Sequence, residues 1–327
     1  MTRVLLTGSQ GFIGSYIAMD LLSNGYEVIG IDNYSKYGRV SRPQDSHPNF
    51  RLIEHDLINP IVEYLDVDLV IAGAAMIGGI SYFHKYAYDL MATNERIIAN
   101  TMDYCIKHKT RIVVLSSSMV YESETTFPSS EKGLKNIPPP ISSYGFQKLA
   151  VEYFARSAWD QYQIPYTIIR PFNCVGVGED KALGEEEIKS GNVELMMSHV
   201  LPDLINKIMK GQDPVVILGK GNQTRCYTNG KDIARGIRLA IESKNSINTD
   251  YNISTSVSTT VLELLQIVWD KLKPGEDLRV ETSEGYTYDV PFRLPDVSKA
   301  VEHLGFEAEI SLSDSVDEVI EWMKTNG

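Results

Sequence analysis

The run Gly8-Ser9-Gln10-Gly11-Phe12-Ile13-Gly14 lies between a short apolar segment and an amphipathic one, and it limits the possible folds more than any other feature. Glycines at this spacing permit a tight turn out of a strand and let the backbone come close to a bound group. The helix expected next offers its first N–H groups and the positive end of its dipole, which suits a pyrophosphate. A second apolar run ends at Asp32, 18 residues after Gly14. A carboxylate there accepts hydrogen bonds from both hydroxyls of an adenosine ribose and repels a 2′-phosphate. The spacing therefore predicts NAD rather than NADP. Asp56, after the third apolar run, either reaches the adenine or caps a following helix.

Apolar runs at 4–7, 27–31, 50–54, 69–72, 112–116 and 166–170 alternate with amphipathic segments at 12–23, 87–107 and 142–161. Continuous Val/Ile/Leu strands alternating with helices predict an α/β fold with a doubly wound parallel (Rossmann) sheet covered on both faces. After Arg170 the pattern loosens. Helices are expected at 193–210, 230–243, 261–272 and 313–323, with strands at 215–218 and near Asn252. Residues 1–175 with about 228–256 then form a cofactor domain. Residues about 176–227 with 257–327 form a smaller, intertwined substrate-binding lobe.

With 327 residues, 43% hydrophobic and 23% charged, the chain has the composition of a soluble globular protein. A formal net charge of −12 argues against a nucleic-acid partner, since no basic surplus exists to meet phosphates. Cys105, Cys174 and Cys226 are widely spaced, which suggests reduced thiols in a cytoplasmic protein with no metal site. The segment 69–80 is too short to span a bilayer, and the chain begins directly with a strand pattern rather than a signal peptide.

Tyr144 and Lys148 are four apart in Ser142-Ser143-Tyr144-Gly145-Phe146-Gln147-Lys148, and so share one face of a helix. A phenol is a poor base at neutral pH unless a cation favours its phenolate, a role open to Lys148. Ser117, 27 residues upstream at the end of an apolar run, is a candidate to hydrogen-bond the same substrate oxygen.

These motifs, with Asp32-Asn33, Ser116-Ser117-Ser118, Arg170-Pro171-Phe172-Asn173, Arg225-Cys226-Tyr227 and Pro295-Asp296, occur in the order of the extended short-chain dehydrogenase/reductase superfamily. The likeness spans nearly the whole chain and is strongest to the nucleotide-sugar epimerases and dehydratases, notably the UDP-glucose 4-epimerases. It implies that Ser117, Tyr144 and Lys148 are catalytic. It implies cofactor contacts from Gly8, Gln10, Gly11, Phe12, Ile13, Gly14, Asp32, Asn33, Asp56, Leu57, Ala74 and Asn94, joined by Tyr144 and Lys148. Substrate contacts are implied for Ser117, Ser118, Tyr144, Asn173, Arg225 and Arg293, and for His199, which stands where relatives often carry an asparagine.

Where 4,6-dehydratases carry Asp-Glu, this chain has Ser118-Met119, and where GDP-mannose 3,5-epimerase and GDP-fucose synthase carry a cysteine it has Met119. Elimination and 3,5-epimerisation lose their acid–base groups, while hydride chemistry keeps its own. Met76-Ile77-Gly78-Gly79-Ile80 resembles a loop of those two GDP-sugar enzymes. It shapes a similar pocket or simply allows close packing. An arginine usual in relatives is replaced within Tyr286-Thr287-Tyr288-Asp289, and the Glu-rich insertion 180–190 is unusual.

The implied reaction is C4 epimerisation of a nucleotide-diphosphate sugar such as UDP-glucose or UDP-galactose, through a transient 4-keto sugar. The alternatives are a 4-keto-sugar reductase using NADH or NADPH, or epimerisation of a GDP-, CDP- or dTDP-sugar. A cofactor-binding regulator is disfavoured by the intact Ser117, Tyr144 and Lys148. The resemblance also implies a homodimer through a four-helix bundle that pairs the helix at 87–107 with the tyrosine helix.

Overall fold

The computed structural model describes residues 1–77, 86–179, 188–190, 193–195, 199–284 and 290–326. The Gly78-Gly79 loop, residues 286–289 and most of the 180–190 insertion lie outside them. The apolar runs form seven strands: β1 (Arg3–Thr7), β2 (Glu27–Asp32), β3 (Phe50–Glu54), β4 (Leu69–Ala72), β5 (Arg111–Leu115), β6 (Tyr166–Pro171) and β7 (Thr249–Ile253). Every pairing in this sheet is parallel, in the order β7-β6-β5-β4-β1-β2-β3. The order reverses between β1 and β4, so their carboxyl ends open a crevice.

Alternation along each strand feeds two cores. Val4 and Leu6 of β1 face α1 (Phe12–Ser23) and a later helix, Gly230–Glu242, where Ile17, Leu21, Ile233 and Ile237 are buried. Leu5 faces the opposite side, where α2 (Ala87–His108) and α3 (Ser143–Tyr162) bury Ile98, Met102, Val151 and Ala155. Each such aliphatic side chain contributes roughly 1.5–3 kcal/mol.

A third core joins α4 (Val200–Met209), the strand Val215–Leu218, α6 (Val261–Leu272) and the final helix α8 (Leu312–Asn326), with α5 being the Gly230–Glu242 helix. Between them α7 (Ser298–Leu304) places Ala300, followed by Phe306, in the core of the sheet.

One element differs from the sequence pattern. The helix expected over 193–210 begins only at Val200, and 193–195 instead pairs antiparallel with 188–190. Pro202 supplies the reason. It lacks an N–H and is tolerated in a first helical turn, so its position sets the start of the helix. Asp56 does not cap a helix. It closes a turn by accepting from the Ile58 N–H at 3.1 Å. No helix among the described residues is long and apolar enough to cross a membrane.

Candidate active site

The glycine loop leaves β1 with Gly8 at φ +74°. A Cβ on Gly14 would lie 1.9 Å from the Gly8 carbonyl oxygen, so only glycine lets α1 start this close to the turn. Gly11 caps α1 without a side-chain hydrogen bond, which leaves the first-turn N–H groups for an anion. Asp32, at the end of β2, accepts from the Gln10 N–H at 3.0 Å and the Tyr34 N–H at 2.8 Å. Burial pushes its carboxyl up, against the pull of these N–H groups. Its remaining lone pairs fit ribose hydroxyls, so the loop and the carboxylate suit a dinucleotide. Asn33 receives the Ser35 N–H at 3.0 Å, and Leu57 is buried with its carbonyl taken by Asn100.

Across the switch point, Thr7 Oγ1 accepts from the N–H groups of Gly73 and Ala74, both at 3.1 Å. Asn94 brackets Met76, accepting from its N–H at 2.6 Å and donating to its carbonyl at 2.9 Å. Thr7, Ala74, Asn94, Leu115 and Lys148 line one small cavity. Three residues expected at the cofactor are thereby brought together.

Ser142 starts α3 by accepting the Gly145 N–H at 3.0 Å, which places Tyr144 in the first turn. Ser117 plays the same part for the short 3-10 turn Ser118–Tyr121, accepting from the Met119 N–H at 3.2 Å. The two starts approach so closely that a Cβ on Gly145 would lie 2.8 Å from the Met119 carbonyl oxygen. Burial raises the Tyr144 phenol, opposed by the nearby Ser117 hydroxyl and the positive charge of Arg293. Leu90, Met119 and Val290 form its apolar surround. Lys148 is buried and donates to the Leu115 carbonyl at 3.0 Å, and burial pulls its amine down to about 8. Ser118 is buried within the 3-10 turn.

Arg293 and Arg225 become backbone neighbours, because the Arg293 N–H donates to Thr224 O at 3.1 Å. Asn173 sits in a left-handed conformation, φ 31°, with a buried side-chain oxygen that finds no hydrogen-bond partner among the described residues. His199 stands at the N-cap of α4 against the Glu179 carboxylate.

The sequence reading assigned nothing to the strap 42–46, which lies against the glycine loop. Gln44 donates to Ser9 O at 2.9 Å and accepts from Ser15 Oγ at 2.8 Å. Asp45 accepts from the Gln10 side chain at 2.9 Å. The Arg42 guanidinium donates to Gln10 O at 3.1 Å and to Gly178 O at 2.8 Å. The Arg42 N–H donates to the Asp45 carboxylate at 2.8 Å, a local contact that sets the turn but says nothing of where the turn packs.

A glycine-loop cleft at a topological switch point, beside a Ser–Tyr pair and a buried lysine, defines an enzyme site for nicotinamide-dependent chemistry. Residues 4–254 match the NAD dependent epimerase/dehydratase family, and the chain belongs to it. It is 32% identical over 327 residues to a putative UDP-glucose 4-epimerase of Methanocaldococcus jannaschii, covering 99% of each chain. It is 28% identical to UDP-glucuronic acid decarboxylase 1 of Arabidopsis thaliana, covering 97% of this chain and 69% of that protein. The crystal structure of a Thermotoga maritima UDP-glucose 4-epimerase with UDP-glucose superposes with a TM-score of 0.81 at 25% identity, covering 99% of each chain.

Proposed function

We propose that the chain epimerises a UDP-sugar at C4 and keeps its NAD through the cycle. The observation that carries this reading is the buried Tyr144 phenol, enclosed by Leu90, Met119 and Val290, none of which titrates, with the Ser117 hydroxyl favouring its phenolate. Such a site moves one proton at one carbon. Tyr144 takes the proton of the sugar 4-hydroxyl, and Ser117 holds the same oxygen. Lys148 and Arg293 favour the phenolate by charge. NAD, when bound, would supply a hydride acceptor for the C4 carbon and a donor for its return. The Gly8–Gly14 loop would hold its pyrophosphate, Asp32 its ribose, and Ala74, Asn94 and Lys148 its nicotinamide end.

Arg225 and Arg293 meet the substrate diphosphate, with His199 and Asn173 at the same lobe. The UDP-glucose and UDP-glucuronic acid named for relatives support a UDP-sugar. The outer face of the α2–α3 pair exposes Tyr88, Phe146 and Tyr153, which supports a homodimer through these helices. The free, widely spaced cysteines support a reducing, cytoplasmic setting.

Incubating the purified protein with UDP-glucose, UDP-N-acetylglucosamine, UDP-glucuronate and GDP-, CDP- and dTDP-sugars, and reading products by NMR, tests the reaction. A C4 epimer formed without added cofactor is expected. A pentose product with release of carbon dioxide, or turnover only with stoichiometric NADH or NADPH, would sink it.

A further inference from the structure

We infer that Arg42 is a positioning residue that couples NAD retention to occupancy of the nucleotide-sugar lobe. Gln10, at the centre of the glycine loop, is held on three sides: its N–H by Asp32, its side chain by Asp45, its carbonyl by Arg42. Gln10, Gln44 and Arg42 are all buried, so these bonds are shielded from competing water. The strap itself is rigid, since Asp45 accepts the Arg42 backbone N–H at 2.8 Å while Gln44 ties it to Ser9 and Ser15.

The second arm of Arg42 leaves the cofactor side altogether. It holds the carbonyl of Gly178, in the segment that runs from the short strand Cys174–Val175 toward the smaller lobe. The next residue, Glu179, meets His199 at the start of α4. A continuous chain of contacts thus leads from the loop proposed to hold pyrophosphate, through one guanidinium, to the helix start proposed to hold the substrate diphosphate. Displacing 178–179 breaks an Arg42 bond and loosens the Gln10 carbonyl. Holding 178–179 in place keeps the loop closed. Coupling of this kind is reciprocal: a nucleotide in the lobe slows NAD loss, and bound NAD strengthens nucleotide binding by the same factor.

The inference rests on NAD binding and on the nucleotide-sugar site proposed above, and not on the reaction at C4. It is tested by measuring NAD release from the holoenzyme, by gel filtration and absorbance, with and without UDP. In the wild type UDP is expected to slow release. Arg42→Met, which keeps the apolar stem, is expected to release NAD roughly tenfold to a hundredfold faster, the effect of a lost charged hydrogen bond. In that variant the ratio of rates with and without UDP should fall to one.

Arg42→Lys keeps the charge but lacks the fork that spans both carbonyls, so the ratio should collapse there too if Arg42→Met fails to fold. A variant that melts lower yet keeps the wild-type ratio shows a structural brace and overturns the inference. UDP that binds the wild type by calorimetry but leaves its NAD release unchanged also overturns it. Absence of UDP binding to the wild type sinks the substrate proposal instead.

Discussion

One helix, α3, carries two buried sets of titratable groups that differ in how charge is met. At its middle Glu152 is fully buried and bonds Arg170 through both oxygens, at 2.7 and 2.8 Å. Arg170 also holds Asp250 at 2.7 Å and Tyr121 at 2.9 Å, and Lys299 holds Asp250 at 2.8 Å. Burial alone would raise the Glu152 carboxyl, yet Arg170, Arg156 and Ser116 hold it below its usual value. One and two helical turns earlier, Lys148 and Tyr144 are equally enclosed, and burial is the largest influence on each. Burial therefore moves both toward their neutral forms. The paired set is fixed in its ionised state and fixes α3 against β6 and β7. In the second set it is Lys148, with its amine at about 8, that is left near the point where a proton can be exchanged, as acid–base catalysis requires.

The contrast breaks first at Tyr144. Tyr144→Phe removes the proposed base and should lower the rate of the proposed epimerisation by about a hundredfold to ten-thousandfold, while NAD binding by calorimetry stays near that of the wild type. Survival of activity would assign the base elsewhere. Lys148 sharpens the same point through pH. Its amine is charged below about 8, where it favours the phenolate. Lys148→Met should move the acid limb of kcat/KM to higher pH, and an unmoved limb would confine Lys148 to the cofactor.

Glu152→Gln tests the paired set. It leaves a buried Arg170 short of one counter-charge, and should cost about 3–5 kcal/mol of stability, read from denaturant unfolding. The pH dependence has a definite sign. A carboxyl lowered by folding stabilises fully above its ordinary value of 4.5 and loses that contribution as pH falls through its folded value. The variant should lack this part of the wild type's acid sensitivity. Equal acid sensitivity in both would mean that Asp250 carries it instead.

The parts of the molecule that were legible are those where chemistry is local in sequence. The glycine loop, Asp32 and the four-residue spacing of Tyr144 and Lys148 each lie within one strand–turn–helix unit, and the sheet strands are uninterrupted apolar runs. The chain beyond β6 is different. It is stitched by two-residue ladders, Thr224-Arg225 with Thr259-Thr260 and Cys174-Val175 with Thr228-Asn229. Two residues show no periodicity. Arg42 was illegible for the same physical reason. Its bonds reach 32 residues back and 136 forward, and nothing near it in the chain marks either carbonyl. Arg170 was visible as a motif, but its partner Glu152 reads as an ordinary helical glutamate until the fold buries it.

The smallest effect is expected at Gly145, and it tests whether the two sets of α3 are independent. An added Cβ meets the Met119 carbonyl oxygen at 2.8 Å and Pro140 at 2.7 Å, so the first turn of the helix must move outward. The Glu152–Arg170 set lies two turns further along and holds the rest of the helix in place. Gly145→Ala should therefore cost only about 1–3 kcal/mol and leave the melting transition cooperative. Tyr144 shifts with that first turn, away from Ser117. The rate should fall more than the stability loss explains, with kcat reduced and NAD binding unchanged. If kcat holds while stability falls, the nearness of Ser117 to Tyr144 is not what positions the proposed base. The apolar wall of Leu90, Met119 and Val290 would then be sufficient to hold it.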